Sequence, residues 1–131
     1  MKVLEFVKDA GLSQRALGKH LGYSKSWFFH LQNSKTPRQM NQLSDCLVSR
    51  GKLLSEFSFR KHNLEEILDA TGWKLTGLAS RLGCSRQWIY RVLREDLLTE
   101  ERAELIEREV RKFGQEMIEQ GLSLLATKKA A

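Results

Sequence analysis

The sequence predicts an all-α protein: two tandem units of short helices followed by a long C-terminal helix. Three observations carry this reading. Sliding the 131-residue chain on itself by 61 residues brings two blocks into register, and a repeat of that length resets the expected fold. Within each block the apolar residues keep a helical period, interrupted by glycines at matching places. From Thr99 onward the chain reads as one amphipathic helix, nearly to Ala126.

In the repeat, Gly11 falls on Gly72, Leu17 on Leu78, Leu21 on Leu82, Gly22 on Gly83, Ser24 on Ser85 and Trp27 on Trp88. Phe6/Ile67, Val7/Leu68, Leu12/Trp73, Phe28/Ile89, Phe29/Tyr90 and Leu31/Val92 are apolar in both copies. Each copy opens with an amphipathic helix, about Val3 to Ala10 or Leu64 to Thr71, and Gly11 or Gly72 follows as a left-handed cap. Asn63, with Glu66 three residues on, makes a capping-box-like start. The next helix runs about Gln14 to Leu21 or Leu75 to Leu82 and ends at Gly22 or Gly83, residues suited to a tight turn. A third helix starts near Ser24 or Ser85, whose hydroxyl can cap it. This organisation places segment boundaries at 1–60, 61–98 and 99–131.

A helix, a short turn with glycine and a second helix make a helix-turn-helix, a scaffold that presents its second helix to the DNA major groove. Counted from Gln14 or Leu75, the fifth residue must be small where the helices cross, and it is Gly18 or Ala79. The ninth must tolerate the turn, and it is Gly22 or Gly83. The expected core positions hold Leu17, Leu21, Tyr23, Phe28 and Leu31 in one copy and Leu78, Leu82, Cys84, Ile89 and Val92 in the other.

In these residues the chain resembles the Cro/CI-type (XRE) helix-turn-helix family of phage and mobile-element regulators, here in tandem. The first copy carries the resemblance through SQRALGKHLGYSKSWFFHLQNSKTP and into MNQLSDCLV as a fourth helix; the second carries it through LASRLGCSRQWIYRVL. The second then departs: LREDLLTEERAELIEREV has no basic loop.

The resemblance implies a DNA-reading face on the outer side of each third helix. The base-reading candidates are Ser24, Lys25, Ser26, Phe29 and His30 in the first copy, and Ser85, Arg86, Gln87, Tyr90 and Arg91 in the second. Gln87 can pair bidentately with adenine, and Arg86 or Arg91 with guanine, which makes the second helix the sharper reader. Gln14, Arg15, Lys19, Asn33, Lys35, Lys74, Arg81 and Arg94 are candidate phosphate contacts, which set register without reading sequence. Trp27 and Trp88 are expected to pack against a neighbouring helix or the other unit.

Charge supports a polyanionic partner. The formal net charge is +6, but residues 1–62 carry 11 basic and 4 acidic side chains and residues 63–131 carry 11 and 12. Between Asp9 and Asp45 there is no acid, and none between Asp69 and Glu95. Double-stranded DNA is therefore the expected partner.

Other classes find less support. Cys46 and Cys84 have no metal-ligand spacing, and His20, His30 and His62 have none either, so no metal is expected. No phosphate loop, paired catalytic acids or nucleophile constellation is visible, so neither an enzyme nor a cofactor is expected. No apolar run approaches the roughly 20 residues a membrane span needs. MKVLEFVKDAG has acids where a signal peptide is apolar, and the expected location is the cytoplasm of a bacterium or phage-infected host cell.

In the C-terminal helix, Ile106, Val110, Phe113 and Met117 form one apolar stripe, continued by Gly121, Leu124 and Leu125, with a bend expected at Gly114. The stripe has two uses: packing on the chain's own units, or serving as a homodimer seam. The tail ATKKAA is expected to fray. The function expected is a sequence-specific transcriptional regulator, most simply a repressor. A protein-interaction module of inhibitor or antitoxin type and an accessory DNA-architecture factor are the alternatives.

Overall fold

The computed structural model describes residues 2–21 and 37–130. Those residues form seven helices and no strand: α1 (Lys2–Asp9), α2 (Gln14–Leu21), α3 (Pro37–Ser55), α4 (Leu64–Thr71), α5 (Leu75–Leu82), α6 (Arg86–Arg94) and α7 (Glu100–Ala130). No helix among them is long and apolar enough to cross a membrane.

Local chemistry sets most boundaries as the sequence predicts. Asn63 Oδ1 accepts from the Glu66 amide at 3.0 Å and starts α4. Ser13 and Thr99 cap α2 and α7 through their hydroxyls, which accept from Ala16 N at 3.1 Å and Arg102 N at 3.2 Å. Gly11, Gly72 and Gly83 adopt φ of +79°, +72° and +69°. Two helices exceed expectation. α3 begins at Pro37, where a missing N–H costs nothing because first-turn amides have no intrahelical partner. α7 is one helix through Gly114 and on to Ala130, through the stretch expected to fray; after Gly121 the sequence holds no helix breaker.

The two units meet about a local two-fold axis. Ser13 N donates to Gly72 O at 2.6 Å and Lys74 N donates to Gly11 O at 2.9 Å, so Leu12 and Trp73 form an isolated antiparallel bridge. The partners are equivalent residues of the 61-residue repeat, and the exchange is reciprocal.

The same symmetry recurs at the crossing of α3 and α7, which run antiparallel. A Cβ on Gly51 would fall 2.6 Å from Gly114 O, and one on Gly114 would fall 2.6 Å from Gly51 O. Gly51 would also strike Ile118 N, and Gly114 would strike Ser55 N, which are again matching contacts. Both helices thus touch backbone to backbone. Here the repeat offset is 63: Leu43/Ile106, Leu47/Val110, Gly51/Gly114 and Leu54/Met117 pair, and all eight are buried. α7 is therefore the second unit's counterpart of α3. The two extra residues lie between Val92 and Glu100, as compared with Leu31 to Pro37.

One hydrophobic core runs through both units and α7. Phe113 sits at its centre, with the Trp73 ring stacked at 4.0 Å and the Phe6 ring at 5.6 Å. Trp73 Nε1 donates to Ala10 O at 2.8 Å, tying the units together by a side chain as well. Ser44 Oγ donates to Gly121 O at 2.7 Å, so the buried hydroxyl at the α3–α7 contact is satisfied.

This core corrects the homodimer seam. Ile106, Val110, Phe113 and Met117 are at most 1% exposed, covered by their own chain. Burial of such side chains is worth about 1.5–3 kcal/mol each, so freeing the four costs roughly as much as the whole net stability of a domain. The apolar stripe marks burial, and the chain's own units supply the cover.

Candidate nucleic-acid interface

The second helix-turn-helix is α5, a turn at Gly83, and α6. Leu78, Ala79, Ile89 and Val92 are buried, while Leu82 and Cys84 are half-buried, matching the slots expected for the motif. Gly83 N donates to Ser80 O and Cys84 N to Ala79 O, closing α5 as the chain turns. Ser85 Oγ accepts from Trp88 N at 3.2 Å and fixes the start of α6. Burial of Ile89 and Val92 then leaves the other side of this nine-residue helix to solvent.

That outer side holds Ser85, Arg86, Gln87, Tyr90, Arg91 and Arg94, all exposed. The expected base-reading set of the second copy is thus brought together on one face. Arg91 lies 3.6 Å from Glu95, but both side chains are more than half exposed, and pairs of this kind contribute about 0–1 kcal/mol. Arg91 remains available to a stronger partner. The Arg94 guanidinium lies 4.7 Å from the centre of the Tyr90 ring and gives that ring a preferred direction. Trp88 is half-buried at the rim of the core, with the Arg102 guanidinium 5.9 Å from its ring, so it is a packing residue as expected.

The phosphate candidates divide. Gln14, Arg15 and Lys74 line a groove of about 540 Å³ at the Leu12–Trp73 bridge, together with Lys8, Leu12 and Ser13. Lys8, Arg15 and Lys74 are exposed, and no carboxylate is among the described residues that line the groove. Lys19 lies apart, in a groove with Arg50 and Asp69. Arg81 is committed elsewhere: its Nη1 is 2.6 Å from Glu116 Oε2 and its Nε is 3.4 Å from Glu109 Oε2. It also lies over the Phe113 ring at 5.4 Å. The contact is ionic, since neither Arg81 Nε nor Glu116 Oε2 makes an aligned hydrogen bond with a described residue. With its charge neutralised inside the fold, Arg81 is a poor phosphate contact.

Ser24, Lys25, Ser26, Phe29, His30, Asn33 and Lys35 lie outside the described residues, as do the core positions Tyr23, Phe28 and Leu31.

Sequence reasoning missed Lys8, which joins Lys74 only because the bridge brings the two units together. It also missed the pairing of α3 with α7. An offset of 63 would have found that pairing, because it aligns Gly51 with Gly114 and the leucines of α3 with the α7 stripe.

The cysteines are free, Cys46 buried and Cys84 half-buried. Burial pushes both thiols up from their ordinary range, for Cys46 partly offset by Arg50. Neither has the lowered value of a poised nucleophile. No cluster of metal-ligating side chains occurs among the described residues. Compared with protein-family models, curated proteins and solved structures, the chain matches none.

Proposed function

We propose that this protein is a sequence-specific double-stranded DNA-binding regulator, read through α6. The observation that carries the reading is the outer face of α6, where Arg86, Gln87, Tyr90 and Arg91 face solvent beside Arg94. Those side chains are spared from packing because Ile89 and Val92 hold the helix to the core. Arg86 and Arg91 suit guanine O6 and N7, Gln87 suits adenine N6 and N7, and Tyr90 offers an apolar edge and a hydroxyl. The resemblance of the helix-turn-helix residues to Cro/CI-type regulators supports the same reading.

Repression of a promoter by operator occupancy, in the cytoplasm of a bacterium or phage-infected cell, is the simplest regulatory mode for so small a DNA reader. A phage or mobile element is the natural setting for such a regulator. Phosphate contact by Gln14, Arg15, Lys74 and Arg94 would supply a salt-dependent share of affinity.

Mobility-shift titration against DNA selected from a random library tests this. Specific regulation requires the selected duplex to outcompete unrelated DNA by at least a thousandfold, and equal affinity for both would overturn it.

A further inference from the structure

The seam between the units gathers positive charge that neither unit holds alone. Lys8 and Arg15 come from the first unit and Lys74 from the second, and the three line one groove of about 540 Å³ beside the Leu12–Trp73 bridge. None of these cations is ion-paired with a described residue. A cleft lined by one sign of charge focuses its field and concentrates ions of the other sign.

The repeat does not dictate this arrangement. At the 61-residue offset Lys8 corresponds to Asp69, Arg15 to Thr76 and Lys74 to Ser13. The mates of the three cations are thus one acid and two hydroxyls, and Asp69 lies in the separate groove with Lys19 and Arg50. Positive charge is therefore concentrated on one flank of the seam.

The two bridge amides are already spent, Ser13 N on Gly72 O and Lys74 N on Gly11 O. An anion in the groove consequently meets side-chain cations on flexible stems, which suit a phosphate and read no base. α5 starts at Lys74, its N-cap, and delivers the chain to the turn before α6. Its eight residues span about 12 Å at a rise of about 1.5 Å each, or three to four steps of duplex at roughly 3.4 Å. The groove and the α6 face are close enough to meet one duplex.

Resting on the DNA-reading function proposed above, we infer that the seam groove is a phosphate-backbone clamp for the duplex that α6 reads. Lys8, Arg15 and Lys74 neutralise phosphates there and supply affinity without sequence preference; α6 supplies the preference. The clamp forms only where the two units meet, because its cations come from both.

Salt titration of the full chain on two duplexes, one selected from a random library and one unrelated, tests the clamp. The variants are Lys8→Gln/Lys74→Gln, Arg15→Gln, and a control, Lys61→Gln/Lys112→Gln, that removes the same charge from lysines outside the groove. All five positions are exposed, and Arg15→Gln carries the test by itself where the groove double variant does not fold. The slope of log K against log salt should become shallower by about 2 for the groove double variant and about 1 for Arg15→Gln, on both duplexes alike. The control should keep the parent slope, and every variant should prefer the selected duplex by the parent ratio. Unchanged slopes in the groove variants, an equal change in the control, or a loss confined to the selected duplex overturns the clamp and leaves the α6 reading standing. Slope changes as expected in a chain that binds every duplex equally overturn the α6 reading and leave the groove as a phosphate site. Failure to bind any DNA overturns both.

Discussion

The seam between the units and the outer face of α6 are built on opposite rules. At the seam every position is constrained: Gly51 and Gly114 admit no Cβ, and Trp73 is held both by Phe113 and by Ala10 O. On the α6 face, Arg86 and Gln87 have no packing duty at all. Residues at the seam fix where the units stand, and residues on the face are free to be chosen by a ligand. The contrast also separates the roles of the two kinds of arginine. Arg81 serves the fold, clamped by Glu109 and Glu116, whereas Arg86 is exposed and forms no ion pair with a described residue.

The contrast predicts a graded series. The largest effect belongs to Trp73→Ala, which removes the stack on Phe113 and strands the Ala10 carbonyl. It should cost about 3–5 kcal/mol in urea denaturation, and a loss below 1 kcal/mol would show that the seam does not depend on the indole. Next is Gly114→Ala, which must push α7 away from α3 at a cost of about 1–3 kcal/mol, read as a lowered melting temperature. Gly51→Ala should match it, because the contacts are reciprocal; a large disparity would break the two-fold description.

Arg81→Ala should cost less, about 1 kcal/mol, by leaving two partly exposed carboxylates without their cation. It should leave the salt slope of DNA binding unchanged, because its charge is already held by Glu109 and Glu116. Smallest is Asp96→Gly. Asp96 holds φ of +56° in the loop before α7, and glycine there should stabilise by about 0.5–1 kcal/mol in the same melts.

Much of this was legible in the sequence where the signals are local. Asn63, Ser85, Thr99, Gly72 and Gly83 take the caps and turns their chemistry favours, and the apolar period names the buried side of α6. The stripe on α7 was equally legible as a buried face. Its cover was not, because an apolar stripe states that something packs there without stating what. The pairing with α3 was hidden by the two extra residues before Glu100, which shift the repeat from 61 to 63. The ion pairs of Arg81 were hidden for a related reason: its acids sit on α7, distant in sequence and adjacent only once α5 packs against that helix.

The most direct test of the division between fold and face is a paired measurement on Arg86→Ala/Gln87→Ala. Its stability should stay within about 0.5 kcal/mol of the parent chain, as for exposed residues without partners. Its affinity for the library-selected duplex should fall about 30-fold or more, since each such contact is worth about 1–3 kcal/mol. A variant with unchanged stability that binds the selected duplex as tightly as the parent would contradict the account.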